Sequence, residues 1–232
     1  MSRPISVNQT RWIARKPEPE VMSDRDEVRV YTRTDFSEVN HSFARRLIEM
    51  AGKAGRAIDL GTGPASIPLE LCSIEPKWKV LAVDASAGML GEGRRLTRRA
   101  GLDGHIRFLK HNVLELTGMR PFDLVFSNSL LHHLERPLCF WRKVADLIVP
   151  DGHIVIQDLR RPADRATADR LIRKHARDAD RLLQKLFHQS LLAAFTPEEV
   201  TEQLALSGLS SLKVEVVSDR HLLVHGKKRT KR

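Results

Sequence analysis

The chain contains no apolar run approaching the ~20 residues that a bilayer-spanning helix requires. Its opening, Met1-Ser2-Arg3-Pro4, also lacks the apolar core of a secretory leader, so a cytoplasmic protein without a membrane span is expected. Cysteine is scarce. Cys72 and Cys139 stand far apart, with neither the close spacing of a zinc site nor the density of a disulfide framework, and both are expected to pack in the interior. Aromatic residues make up only 5 % of the chain, which leaves no evident row of stacking platforms for single-stranded bases. There is no internal repeat and no low-complexity segment.

What is present suits a single packed domain, since 232 residues with 41 % hydrophobic content can bury a sizeable core. Lysine and arginine exceed the acids by 10, and five of those charges lie in the tail at 227–232. A nucleic-acid partner is compatible with that balance, and so is a solubilising tail beside solvated helix faces.

Residues 1–25, with Pro4, Pro17 and Pro19 among scattered charges, read as an extension that is ordered only if it docks. From 26 to 51 the spacing of Phe43, Leu47 and Met50 is helical, with Asp35 or Ser37 available as a cap. Short apolar strands then alternate with helices: strands at 57–60, 80–84, 106–110, 122–127 and 153–158, helices at 66–74, 87–100, 138–148, 164–194 and 197–206. Thr196-Pro197-Glu198-Glu199 carries a capping box for the last of these. The alternation demands crossover connections and a mainly parallel sheet covered on both faces. The ending differs, because segments 212–217 and 221–225 are separated only by Ser218-Asp219-Arg220, too short for a crossover, and must pair as an antiparallel hairpin. The expected architecture is an α/β doubly wound, mainly parallel seven-stranded sheet with a C-terminal antiparallel hairpin. The domain spans 26–226, and a basic tail follows at 227–232.

The densest signal is Arg56-Ala57-Ile58-Asp59-Leu60-Gly61-Thr62-Gly63-Pro64-Ala65, an apolar strand that ends in a carboxylate and runs into two glycines one residue apart. Glycine is needed where the backbone turns sharply and a ligand comes close, and the amides opening the following helix face an anionic group. Asp84 ends the next apolar strand, roughly 20 residues beyond Gly63, the distance expected of a ribose-binding acid in a βαβ unit. A dinucleotide site would need Gly-x-Gly-x-x-Gly, and the sixth position here is Ser66. Asp59 would also repel a pyrophosphate, yet it suits a cationic sulfonium bearing a free amino group.

Asp59-x-Gly61-x-Gly63 followed by Asp84 resembles the nucleotide-binding signature of the class I S-adenosylmethionine-dependent methyltransferases, with Ala65 in place of the third glycine often found there. The resemblance runs through most of residues 26–226. It implies that Asp59, Gly61, Thr62 and Gly63 hold the amino-acid end of S-adenosylmethionine, that Asp84 takes both ribose hydroxyls, and that Ala85 and Met89 pack on the adenine. For Asp84 the structural alternative is a helix cap near Ser86. At Asn112-Val113, where relatives often carry an acid on the adenine amino group, Asn112 offers its carbonyl oxygen; a turn-forming Asn explains it as well. The resemblance further implies that 26–55 is a helical lid over the cofactor, with Tyr31 in it, and that 160–195 is a helical insertion on the acceptor side.

Ser127-Asn128-Ser129-Leu130-Leu131-His132-His133-Leu134 resembles the corresponding segment of the ubiquinone and menaquinone biosynthesis methyltransferases. That likeness puts Ser127 and Asn128 beneath the sulfonium and His133 near the acceptor; a histidine bonded to a backbone carbonyl is the alternative. Metal is not expected at the histidine pair, since adjacent histidines diverge on a helix and no third ligand is spaced to join them. After the next strand, Asp158-Leu159-Arg160-Arg161-Pro162 brings an acid and two guanidinium groups to the cleft mouth, where Arg160 or Arg161 would clamp a carboxylate or phosphate of the acceptor. Displacement at a methyl on positive sulfur chiefly needs alignment and exclusion of water. One base suffices: His133 first, with Tyr31 and Asp158 as weaker candidates. The expected function is methyl transfer to a small-molecule acceptor. An RNA methyltransferase using the basic surface and a non-catalytic cofactor-binding regulator are the alternatives.

Overall fold

A computed structural model describes residues 12–18 and 25–228. Two helices, α1 (Arg25–Arg33) and α2 (Ser37–Ala51), precede the sheet region. There β1 (Gly55–Leu60), α3 (Ser66–Ile74), β2 (Trp78–Asp84), α4 (Ala87–Arg99), β3 (Ile106–Lys110), β4 (Phe122–Asn128), α5 (Pro137–Leu147) and β5 (Ile148–Leu159) alternate. Then come α6 (Arg165–His175), α7 (Arg181–Ala193), α8 (Pro197–Leu206), β6 (Lys213–Val216) and β7 (His221–Lys227). The seven strands lie in the order β3-β2-β1-β4-β5-β7-β6. β1 to β5 are mutually parallel, while β7 runs antiparallel to both β5 and β6. The doubly wound sheet closed by a hairpin is therefore as the alternation implied.

Alternate strand residues feed two cores. Ile58, Leu60 and Val125 pack with Phe140, Trp141 and Val144 of α5 on one face, and Ala57, Leu124 and Phe126 pack with Phe43, Leu47 and Leu71 of α2 and α3 on the other. Burial on both faces is why these strands read as continuous apolar runs. Cys72 is buried and its thiol is pushed up to about 12 by burial, as befits a packing residue, whereas Cys139 is only half-buried. Among the described residues no helix is long and apolar enough to cross a membrane.

Several boundaries move for local reasons. The helical stretch at 26–51 is two helices, and Asp35 at the break accepts a hydrogen bond from the Ser37 amide at 2.9 Å. The stretch at 164–194 also breaks, with Asp180 capping α7 through the Leu182 amide at 2.7 Å. The fifth strand starts at Ile148 rather than 153, its register with β4 shifting between Phe122 and Leu124. The capping box at Thr196 and Glu199 forms in full. Lys227 belongs to β7, and Lys228 is anchored by its Nζ to the Ala145 carbonyl at 2.7 Å, so the chain is fixed where a free tail was expected to begin. Pro4, Pro19 and the tail beyond Lys228 lie outside the described residues.

Candidate active site

Two groups of side chains gather where the parallel strands end. The first is local in sequence. β1 exits into a turn in which Gly61 (φ +74) and Gly63 (φ +55) are left-handed, and the Gly61 and Thr62 amides both bond the Val83 carbonyl at 2.9 Å. A Cβ at Gly61 would meet Leu130 at 2.8 Å, whereas one at Gly63 would meet nothing within 4 Å, so Gly63 borders open space. Ala65 is also left-handed (φ 58) and stands at the N-cap of α3 without a side-chain cap, taking the backbone pose of the missing third glycine.

Two acids face this turn. Asp59 is buried and accepts a hydrogen bond from the Thr62 hydroxyl at 2.6 Å. Burial pushes its carboxyl up to about 7; the Thr62 bond opposes this and the charge of Asp84 adds to it. Asp84 accepts the Gly63 amide and the Ser86 amide, each at 2.8 Å, so it ties the glycine turn to Ser86, the residue that caps α4, and burial raises its pKa against the pull of those amides. The Tyr31 hydroxyl of α1 is raised in pKa by burial and by the charges of Asp84 and Asp59. α1 is seated there through Val28, which lies 3.6 Å from where a Gly88 Cβ would stand on α4.

Neighbouring expected residues divide. Met89 is buried at the start of α4, its amide bonded to the Ser86 hydroxyl at 3.4 Å, while Ala85 is half-buried. Asn112 uses its carbonyl oxygen as a cap on the Leu114 amide at 2.9 Å, and Val113 is buried. Asn128 accepts from Gln157 Nε2 at 3.1 Å. Ser127 is fully buried and donates to the Leu60 carbonyl at 2.6 Å, so it ties β4 to β1 rather than flooring a ligand site.

The second group is assembled from distant segments. After β4, Ser129 (φ 58) turns the chain sharply into a single 3-10 turn at Leu131–His133. Asp158 of β5 accepts the Leu131 amide through Oδ2 at 2.6 Å, and its Oδ1 lies 2.6 Å from His132 Nδ1. His132 Nε2 and His133 Nδ1 each lie 3.2 Å from Glu18 Oε1, which also accepts the Ser190 hydroxyl at 3.0 Å. Burial works against a charge on His132, but Asp158 and Glu18 overcome it and push the pKa up to about 9. Glu18 is half-buried, and although that desolvation raises its pKa, His132 and His133 hold its carboxyl below the usual range.

Two expectations need correcting here. The histidines do not diverge: their rings lie 4.2 Å apart at 32°, because the segment is a 3-10 turn, and Glu18 supplies a third potential ligand. Arg161 does not reach out to an acceptor either. It is 4 % exposed and donates to Glu199 and to the Ala194 carbonyl, which fastens α8 to the end of β5. Arg160, half-buried, keeps a buried Nε with no partner among the described residues.

Glu18, Arg15 and His132 are the residues that sequence reasoning missed. The segment at 12–18 docks as a strap: Ile13 and Lys16 amides bond the Ala163 and Leu192 carbonyls, and Arg15 bonds the carbonyls of Ala193, His132 and Leu134 while lying 4.0 Å over the Phe195 ring. No periodicity announces such docking. The signal for His132 was Asp158, an acid at a strand end whose natural partner was a neighbouring histidine.

Residues 51–208 match the family model of the methyltransferase domain. Trans-aconitate 2-methyltransferase of Methylobacterium nodulans is 32 % identical over 113 residues, covering 47 % of this chain and 42 % of that protein. The Streptomyces coelicolor protein of the same name is 26 % identical over 170 residues, covering 72 % and 54 %. The chain thus spans about half the length of these curated relatives. Among solved structures, one from Methanococcus maripaludis assigned as an S-adenosylmethionine-dependent methyltransferase superposes with a TM-score of 0.70 at 17 % identity, covering 95 % of this chain and 99 % of that one. The plantazolicin methyltransferase BpumL, in complex with a monoazolic desmethylPZN analogue and S-adenosylhomocysteine, superposes with a TM-score of 0.68 at 11 % identity, covering 89 % of this chain and 91 % of that one. At such identities the structural likeness speaks for the fold.

Proposed function

This chain belongs to the class I S-adenosylmethionine-dependent methyltransferases, and from that premise we propose that it transfers a methyl group from S-adenosylmethionine to a small acidic acceptor. The observation that carries the reading is a pair of acids at adjacent strand ends, the buried Asp59 and the half-buried Asp84, beside an open glycine turn. Among the described residues no cation pairs with either acid, and a buried carboxylate without one is costly. A ligand with an ammonium group meets that need at Asp59, and a vicinal diol suits the remaining lone pairs of Asp84. Thr62, Gly61 and Gly63 line the amino-acid end, Ala85 and Met89 the adenine, with Asn112, Val113 and Asn128 around it.

The acceptor side supports a small molecule. The strap at 12–18 and helix α7 both pack on the 3-10 turn and on each other, and such cover suits a small acceptor better than a polymer. The relatives are named for trans-aconitate, a small acid, and Arg160, half-buried just beyond β5, carries the guanidinium that suits a carboxylate. A carboxylate oxygen attacks the methyl carbon in line, the carbon–sulfur bond breaks with its electrons left on sulfur, and an ester forms without loss of a proton. His133, 20 % exposed against 3 % for His132, is the histidine that reaches the acceptor; it orients a carboxylate, or takes the proton of a protonated nucleophile. Tyr31 closes the cofactor side, and Asp158 positions His132.

Calorimetry with S-adenosylmethionine, its demethylated product and a nicotinamide dinucleotide tests the cofactor, with binding expected for the first two only. Asp84→Ala is expected to weaken that binding by about 1.5–3 kcal/mol. A panel of di- and tricarboxylic acids, phenols and tRNA, followed by release of the demethylated cofactor, tests the acceptor. Turnover on tRNA alone would overturn the small-acid reading.

A further inference from the structure

The cluster around Glu18 is built like a metal site, and its geometry is not explained by methyl transfer. Glu18 Oε1 sits 3.2 Å from His132 Nε2 and 3.2 Å from His133 Nδ1, and the three ligand atoms all lie within 4.8 Å of one another. Atoms bound to one ion at about 2.0–2.1 Å stand roughly 3.0–3.4 Å apart, so both contacts already have the length of an edge of a coordination polyhedron. The surroundings also match what holds such ligands in place. His132 turns its other nitrogen, Nδ1, to Asp158 at 2.6 Å, and Asp158 is itself fixed by the Leu131 amide. Glu18 is steadied by the Ser190 hydroxyl at 3.0 Å. A ligating histidine that gives its second ring nitrogen to a carboxylate, and a ligating carboxylate held by a further hydrogen bond, are the usual supports of a bound ion.

Read as hydrogen bonds alone, the same contacts crowd three donors onto one oxygen of Glu18 and require a proton on both nitrogens of His132. A single divalent ion takes the place of two of those protons. We propose that Glu18, His132 and His133 bind a divalent transition-metal ion of the zinc or iron(II) class, with Asp158 and Ser190 as positioning residues. Two imidazoles and a single carboxylate favour that class over magnesium or calcium, which prefer a shell of oxygens. Three protein ligands leave positions open on the ion, and a carboxylate or hydroxyl oxygen of an acceptor suits them. With the ion in place, His133 acts on the acceptor through it. The proposal does not depend on the acceptor or on turnover.

The test uses the full chain after chelation and dialysis, titrated with zinc, manganese and magnesium chlorides by calorimetry and with cobalt(II) chloride by visible absorption. One equivalent of zinc is expected to bind, magnesium is not, and cobalt is expected to develop the bands of a nitrogen–oxygen site. Glu18→Gln and His133→Ala, chosen because both positions are less buried than His132, should each weaken zinc at least 100-fold while circular dichroism and cofactor binding stay at the parent level. Asp158→Asn should weaken it about 10- to 100-fold. Absence of stoichiometric zinc binding by the parent would overturn the proposal and leave the cluster a proton-filled ion network. Undiminished binding by both ligand variants would overturn it too, by locating the ion at other histidines.

Discussion

The glycine-turn half and the histidine half share one sheet edge but are built on opposite plans. In the first, residues 59–89 supply nearly everything, and the work is done by backbone: two left-handed glycines, amides aimed at Val83 and Asp84, and acids left without a cation. In the second, Glu18, His132, Asp158 and Ser190 come from four separate parts of the chain, and side chains neutralise one another before any ligand arrives. The difference teaches where each half draws its affinity. A pair of acids without a cation, one buried and one half-buried, favours a cation whenever one is supplied, whereas a network already satisfied binds chiefly by exchanging partners.

Three measurements break or sharpen that contrast. The largest effect is expected at Arg161, which the second half uses as a fastener. Arg161→Ala should destabilise the protein by about 3 kcal/mol, because its buried guanidinium gives up charge-assisted bonds to Glu199 and the Ala194 carbonyl, yet the folded fraction should bind cofactor and turn over as the parent does. Chemical denaturation alongside kinetics checks it, and normal stability with lost turnover would return Arg161 to the acceptor. His133→Ala comes next: turnover should fall by ~10²-fold or more with cofactor affinity unchanged, as calorimetry and steady-state rates will show. A fall in cofactor affinity instead would merge the two halves.

The smallest effect is a pH dependence confined to the first half. Asp59 has its carboxyl raised to about 7 when no cation is bound, so affinity for a cationic cofactor should rise about tenfold between pH 6 and 8 and then level off. The stability of the unliganded protein should have the opposite slope. A raised acid stabilises the fold most below its unfolded value near 4, and that contribution is lost as pH rises toward 7. Asp59→Asn should flatten both profiles. If the parent's affinity did not change with pH, Asp59 would not face the charge.

The first half was legible because its determinants are local. Asp59, Gly61, Gly63 and Asp84 state in a short span what the backbone must do, and the short link at Ser218-Asp219-Arg220 likewise fixed the final hairpin. Segments at 26–51 and 164–194 read as continuous because their apolar spacing continues across the breaks, while Asp35 and Asp180 interrupt them through side-chain bonds to the next turn. The second half was legible only in fragments. Asp158 and His133 were visible at strand ends, but Glu18 enters through a proline-bearing strap whose position depends on Arg15 and the carbonyls of Ala193 and His132. Arg161 misled for the same reason, since its partner Glu199 was already accounted for as half of a capping box.

Ala65 carries a consequence for how such turns are inherited. Its left-handed pose costs roughly 1–2 kcal/mol relative to an ordinary one, while its buried methyl returns about 0.8 kcal/mol through packing, so alanine and glycine are near equivalents at this position. Lineages can therefore drift between the two letters with little selective resistance. A fingerprint written in dihedrals would accept this chain where one written in glycines turns it away.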